Sequence, residues 1–235
     1  MARVLAIAII GLPLLASALS AMARRWSIRP ATVQRIALAA SGLTALLALA
    51  LLHTRGAPAI AVEWLAGAGA MGLEVSTLSL YVILAIDWAA FLALFATVAR
   101  DVETRRLSGP VTLLALGVAN GALLADHFLA RYAALEIVAL CIALIPLIEM
   151  KSPRAVPLAW SCYLLLRLGD AGLLAAILIL HAAGGMLRIA PVLEFAQGAI
   201  EGGSAVLGWT VVGFALAAWV KLGGWPFHLW SRAGP

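Results

Sequence analysis

The sequence predicts an all-α membrane protein with about seven transmembrane helices and an extracytoplasmic amino terminus. Hydrophobic residues make up 64% of the 235 residues and charged residues only 11%. The mean hydropathy is +1.06. Apolar runs of about 20 residues, the length that crosses a bilayer as a helix, recur along the whole chain. These observations predict a single multi-pass membrane domain embedded in the lipid bilayer of a cell inner membrane or plasma membrane.

Seven apolar runs define the predicted spans, and a weaker segment follows the sixth. Around Arg188 to Ile200 the apolar positions share one helical face, which predicts a short interfacial helix, although Pro191 and Gly198 make a loop nearly as good an interpretation. The predicted spans are Val4–Ala23, Ile36–Leu52, Thr77–Ala99, Pro110–Ala125, Phe128–Ile148, Ala155–Ala183 and Ser204–Trp230.

The basic residues give the predicted orientation. Alternate turns are rich in arginine and lysine, and this asymmetry places them inside and the amino terminus outside. Because Arg24 and Arg25 follow the first apolar run instead of preceding it, we interpret this run as a span and not as a cleaved signal. The pI of about 9.9 does not indicate nucleic-acid binding, since the basic residues form no continuous stripe with interleaved aromatics.

Lys221 is the most informative residue, because it lies inside the last apolar run. A charge at membrane depth costs about 3 kcal/mol or more, so it normally faces the protein interior or a water-filled cavity and has a partner. Gly223, Gly224 and Pro226 follow it and predict a broken helix, a feature found where backbone lines an ion path. The alternative is a lysine that snorkels to the interface from a helix end.

Other charges within the spans suggest partners for this lysine. Arg167 and Asp170 stand three residues apart, so we predict that they pair, and such a pair could be purely structural. Glu136 needs a partner from another helix, and Lys221 is the predicted one, forming a switchable pair. His228 could relay protons beyond the break or anchor the chain at the interface. The cysteines show no disulfide or metal spacing, and no cofactor is predicted.

Three motifs on the predicted helices five to seven carry a family resemblance. Lys221-Leu-Gly-Gly-Trp-Pro-Phe-His-Leu-Trp230 resembles the Lys-x-x-x-x-Pro-Phe-His-x-Trp signature of the antiporter-like subunits of respiratory complex I and of Mrp-type cation/proton antiporters. Leu135-Glu136 is similar to the Trp-Glu of the fifth helix. Arg167-Leu-Gly-Asp170 is similar to the Arg-x-Gly-Asp segment that indicates the chain-L type of subunit.

The sequence also departs from this family. Ser76 stands where the family usually has aspartate at the start of the third helix, and the usual Leu-Pro-Asp-Ala-Met after Trp230 is replaced by Ser231-Arg-Ala-Gly-Pro235. Family members continue for about seven more helices. The resemblance therefore predicts a fragment with an incomplete antiporter-like fold. Residues 1–100 would form accessory helices, and residues 110–235 most of the first antiporter-like repeat.

The resemblance implies proton translocation as a subunit of an NADH-quinone oxidoreductase. Glu136 would be the mobile coupling carboxylate, Lys221 the central proton carrier and Arg167–Asp170 a modulating pair. The chain would hold no redox centre, would transport protons or sodium ions, and would assemble with other membrane subunits of a respiratory or antiporter complex. An Mrp-type antiporter or an inorganic-carbon-uptake membrane subunit is the alternative within this mechanism.

Two alternatives belong to other classes of protein. A seven-helix retinal protein would use Lys221 as the Schiff base and Asp87 as its counter-ion, but aromatic residues, at 7%, are sparse for a chromophore pocket. The other is a structural assembly subunit that does not pump. Proton uptake into liposomes distinguishes this alternative from an active transporter.

Overall fold

The computed structural model describes residues 2–23, 29–54, 72–99, 108–150, 152–185, 187–201 and 205–224. These residues form eight α-helices, with an isolated antiparallel bridge between His127 and Arg188. The helices are α1 (Ala2–Met22), α2 (Pro30–His53), α3 (Thr77–Ala99), α4 (Ser108–Leu124), α5 (Phe128–Glu149), α6 (Ala155–Gly184), α7 (Ile189–Glu201) and α8 (Ala205–Lys221).

The helices follow the predicted apolar runs closely, which confirms the all-α membrane fold class. Five of them, α1, α2, α3, α5 and α6, are long and apolar enough to cross a membrane by length and composition. Helices α4 and α8 are apolar but shorter, with 17 described residues each. Helix α7 forms where a short helix or a loop was predicted. The number of crossings and the amino-out orientation stay predictions.

Local sequence explains several helix ends. Pro30 opens α2, a position where its missing N–H costs no hydrogen bond. Gly185 ends α6 with a left-handed φ of 68°, a conformation that glycine adopts without a steric penalty. Helix α8 ends at Lys221, and its closing turn belongs to the functional site described below.

The chain forms two compact units, and helices α1 to α4 belong to the first. Within it α1 packs against α2 and α4, and α2 packs against α3. Buried small and aliphatic side chains fill the contacts, including Ala6, Ile9, Leu51 and Ile83. Helix α4 thus packs with the three helices that precede it, and the division into accessory helices and an antiporter-like repeat stays a prediction.

Helices α5 to α8 belong to the second unit. Here α6 contacts both α5 and α8 along its length, and Leu173, Ile177 and Ala217 form the buried core. The α6–α8 contact is close because glycines face each other. A Cβ atom added at Gly213 would lie 2.8 Å from the carbonyl oxygen of Gly172. Small residues at such contacts are typical of helices packed in membranes.

Candidate functional site: a charged network in the second unit

Four ionisable side chains from three helices meet within the second unit. Glu136 lies on α5, Arg167 and Asp170 lie on α6, and Lys221 is the last residue of α8. Since α6 contacts both α5 and α8, its two charged residues can each reach a different neighbour. All four residues were predicted to be functional, and the structure brings them together.

The ion pairs join neighbouring helices. The guanidinium of Arg167 pairs with the Glu136 carboxylate, which connects α6 to α5. Lys221 Nζ lies 2.5 Å from Asp170 Oδ1, which connects α8 to α6. The carboxylates are the better buried partners: the side chain of Asp170 is 1% exposed and that of Glu136 is 12% exposed. Each carboxylate therefore depends on its cation for compensation in the interior.

These contacts correct both pairings predicted from the sequence. Arg167 does not pair with Asp170, and Glu136 does not pair directly with Lys221. Residues three apart on a helix are separated by about 60° around its axis. Because α6 lies between two helices, this angular separation is enough for the two side chains to contact different neighbours. Arg167 contacts α5, and Asp170 contacts α8.

Two tyrosines complete the site, and the sequence analysis missed them. Arg167 Nε donates a hydrogen bond to the Tyr163 hydroxyl at 2.9 Å, and the guanidinium lies 5.1 Å from the centroid of the Tyr163 ring. Tyr132 lies beside Glu136. Each tyrosine precedes its charged neighbour by four residues, the spacing that stacks side chains on one helix face. This spacing was a signal in the sequence that could have identified them.

The end of α8 fixes the position of Lys221. Gly223 has a φ of 68°, its N–H donates to Val220 O at 3.0 Å, and the Gly224 N–H donates to Trp219 O at 2.9 Å. This is the Schellman arrangement, which glycine favours because it tolerates the left-handed conformation. The ammonium thus lies at the negative end of the helix dipole. Pro226 and His228, the other residues of the predicted break and relay, lie outside the described residues.

A second polar cluster lies where α5 and α7 begin. Arg188 Nε donates to Asp126 Oδ2 at 2.8 Å, and the Phe128 N–H donates to Leu187 O at 2.9 Å. His127 is buried beside this pair. Burial lowers the pKa of His127, the Asp126 carboxylate raises it, and the Arg188 guanidinium lowers it further. The ion pair joins residues far apart in the sequence, so no local spacing could have indicated it.

No group of three histidine, cysteine or acidic side chains with the geometry of a metal site occurs in the part of the chain that the structure describes. The side chains of Cys141 and Cys162 are buried in α5 and α6. The charged side chains of the described site can exchange ion-pair partners, and its carboxylates and amine can also exchange protons.

Sequence comparison finds related proteins for the second half of the chain. Residues 125–233 match the family model of the NADH:quinone oxidoreductase/Mrp antiporter transmembrane region. The NADH-quinone oxidoreductase subunit N of Methylovorus glucosotrophus (strain SIP3-4) is 33% identical over 106 residues, which are 45% of this chain and 22% of that protein. The chain thus aligns with about a fifth of the length of this curated relative.

Solved structures share the fold over almost the whole chain. The Mrp complex from Dietzia sp. DQ12-45-1b matches with a TM-score of 0.78 at 19% identity, over 98% of this chain and 43% of that one. The membrane-bound sulfane sulfur reductase, an archaeal respiratory membrane complex, matches with a TM-score of 0.76 at 21% identity, over 96% of this chain and 35% of that one.

The helices form an antiporter-like membrane fold. The match of residues 125–233 to the transmembrane family of the NADH:quinone oxidoreductase and Mrp antiporter subunits confirms, for this part of the chain, the resemblance seen in the motifs. Because the matched relative is a subunit N, the finer assignment to the chain-L type stays a prediction.

Proposed function

We propose that this chain translocates protons across the membrane by exchanging ion pairs among Glu136, Arg167, Asp170 and Lys221. The observation that carries the proposal is the alternation of charge across three helices: Glu136 with Arg167, and Asp170 with Lys221. Four charges of alternating sign have two neutral ways to pair. The pairs seen in the structure are one way, and Arg167–Asp170 with Glu136–Lys221 is the other.

Exchange between the two arrangements would move the lysine between carboxylates. A buried ammonium is stabilised by a nearby carboxylate, and in a low-dielectric environment an amine that has left one carboxylate and not yet reached the other tends to release its proton. Lysine can make this change, whereas arginine stays protonated in proteins. In this proposal Glu136 is the mobile carboxylate, Lys221 carries the proton, and Arg167 holds whichever carboxylate the lysine has left.

The test replaces Lys221 by arginine in the assembled complex reconstituted into liposomes. Lys221→Arg keeps a cation for Asp170 and so should preserve assembly, but it should reduce proton uptake at least about tenfold, because general proton-transfer groups contribute about 100-fold or more. Glu136→Gln should lose transport to a similar degree, with Glu136→Asp milder. Wild-type uptake in an assembled Lys221→Arg variant would refute the carrier role.

The partner complex is a separate part of the proposal. We propose that the chain assembles with other membrane subunits of an NADH-quinone oxidoreductase-type respiratory complex, since the curated relative carries that name. A tagged chain isolated from native membranes should copurify with redox subunits. Copurification with antiporter subunits alone, together with sodium-dependent proton flux, would instead indicate an Mrp-type assembly.

A further inference from the structure

A buried polar contact in the first unit joins three helices. Asp87 of α3 and Asn120 of α4 are both 0% exposed. Asn120 Nδ2 donates to Asp87 Oδ1 at 2.9 Å and lies 3.5 Å from the carbonyl oxygen of Ile9 on α1. The four-charge network of the second unit involves neither residue.

The contact leaves two acceptors without a donor. Asp87 Oδ2 and Asn120 Oδ1 are buried and have no hydrogen-bond partner. The ion pairs among the described residues are made by Glu136, Asp126 and Asp170, and none includes Asp87. An ionised carboxylate buried without a cation is strongly unfavourable, and such a group normally takes up a proton.

We propose that Asp87 is a proton-binding site, occupied by one proton on Oδ2 and closed by Asn120. The carboxylic acid O–H donates to Asn120 Oδ1, while Asn120 Nδ2 donates to Asp87 Oδ1. One proton thus turns two unpartnered acceptors into a reciprocal pair of hydrogen bonds. The acid–amide pair is neutral, so it holds α3 to α4 beside Ile9 without an ionised group in the membrane interior.

The two oxygen atoms that lack a partner suit a proton better than a metal cation. Hard cations take six or more oxygen ligands. Two side-chain oxygens are too few to coordinate such a cation. In addition, no cluster of three acidic, histidine or cysteine side chains occurs among the described residues. This inference rests on the first unit alone and stands whether or not the charged network of the second unit transports protons.

Infrared difference spectroscopy of the full chain tests the proton directly. The wild-type protein near neutral pH should show the carbonyl stretch of a protonated carboxyl group, shifted in deuterium oxide and absent from Asp87→Asn. Two results would overturn the proposal: no such difference between the two proteins, or loss of the band on adding sodium ions at constant pH.

A stability comparison provides a second, independent test. Asp87→Asn replaces a neutral acid by a neutral amide that can still form a reciprocal pair, so its melting temperature should stay within about 4 °C of wild type. The matched control is Asp126→Asn, which removes a carboxylate paired with Arg188 and should lower the melting temperature by more. Equal and large losses in both variants would contradict the proposal, because a neutral amide would then fail to replace the group that Asp87 carries.

Discussion

The two units stabilise their buried polar groups in different ways. The first relies on hydrogen bonds without ion pairs among its described residues: Ser17 Oγ donates to Pro110 O at 2.7 Å, Gln34 Nε2 donates to Ser108 Oγ at 2.7 Å, and Asn120 donates to Asp87. The second pairs opposite charges between helices, as in Asp170 with Lys221. Both kinds of contact give buried polar side chains a partner in an apolar environment.

The two kinds of contact differ in whether a buried group can change its partner. A hydrogen bond between neutral groups has one satisfied arrangement, and breaking it leaves a buried donor or acceptor. Charges of alternating sign can exchange partners and remain compensated. The alternating charges that the proposed exchange requires lie in the second unit. Residues 125–233, the part that matches the antiporter family model, contain all four of them.

Double-mutant cycles on the four charges should give the largest effects. Lys221→Met leaves Asp170 buried without a cation and should cost about 3 kcal/mol, and adding Asp170→Leu should recover much of this. Arg167→Met should cost less, about 1 kcal/mol, because the Arg167 side chain is 40% exposed and solvent screens it. Thermal unfolding of the purified protein measures each step.

The coupling energies distinguish the observed pairs from those predicted by the sequence. We expect strong coupling for Asp170 with Lys221, weaker coupling for Glu136 with Arg167, and near-additive losses for Arg167 with Asp170. Strong coupling between Arg167 and Asp170 would mean that the alternative pairing dominates in solution, and it would remove the structural basis of the comparison.

Glycine substitutions test whether close packing serves stability in one unit and function in the other. An alanine Cβ at Gly117 would lie 2.8 Å from Leu14 Cγ in the first unit, and one at Gly213 would lie 2.8 Å from Gly172 O in the second. Each substitution should cost about 1–3 kcal/mol. Only Gly213→Ala should also reduce proton uptake per assembled protein, because it moves α8 and with it Lys221.

Gly208→Ala is the matched control for the second unit. It lies on the same helix as Gly213, but a Cβ there would meet nothing within 4 Å, so alanine should be neutral or stabilise by up to about 1 kcal/mol. A loss of uptake in Gly208→Ala equal to that in Gly213→Ala would contradict the packing argument.

The sequence was sufficient for the helices and for the charged residues of the site, but not for their contacts. Hydrophobic runs predicted α3 as Thr77–Ala99, the bounds that the structure has, because membrane helices satisfy their own backbone and so follow hydropathy. Glu136 and Lys221 could be identified as candidate site residues because each is a charged residue inside an apolar run. The partner of each charged residue depends on the position of α6 between α5 and α8. The spacing of residues along a single helix does not determine that position.

Contacts between distant segments were beyond sequence reasoning for a related reason. Asp126 and Arg188 looked like ordinary residues near the ends of spans, and only the fold brings them together. Asn120 carries no charge and did not stand out among apolar neighbours, yet its amide is the group that faces Asp87. In contrast, Tyr132 and Tyr163 could have been found, since both lie one helical turn before a charged residue.

The smallest expected effect is a pH dependence of the second unit that arises from His127. Burial lowers the pKa of this imidazole below its ordinary value of about 6.5. Between the folded value and 6.5 the unfolded chain binds more protons, so stability rises with pH. The stability that depends on a neutral His127 is fully present above about pH 6.5. It is lost as the pH falls through the pKa of His127 in the folded state.

Melting curves of wild type and His127→Gln between about pH 5 and pH 7.5 measure this contribution. We expect the variant to lose less stability than wild type on acidification, because the protonated ring would be desolvated and repelled by Arg188, with only Asp126 to offset these costs. His181→Gln, at an exposed position on α6, controls for removing an imidazole as such. Identical acid sensitivity in wild type and His127→Gln would contradict this prediction.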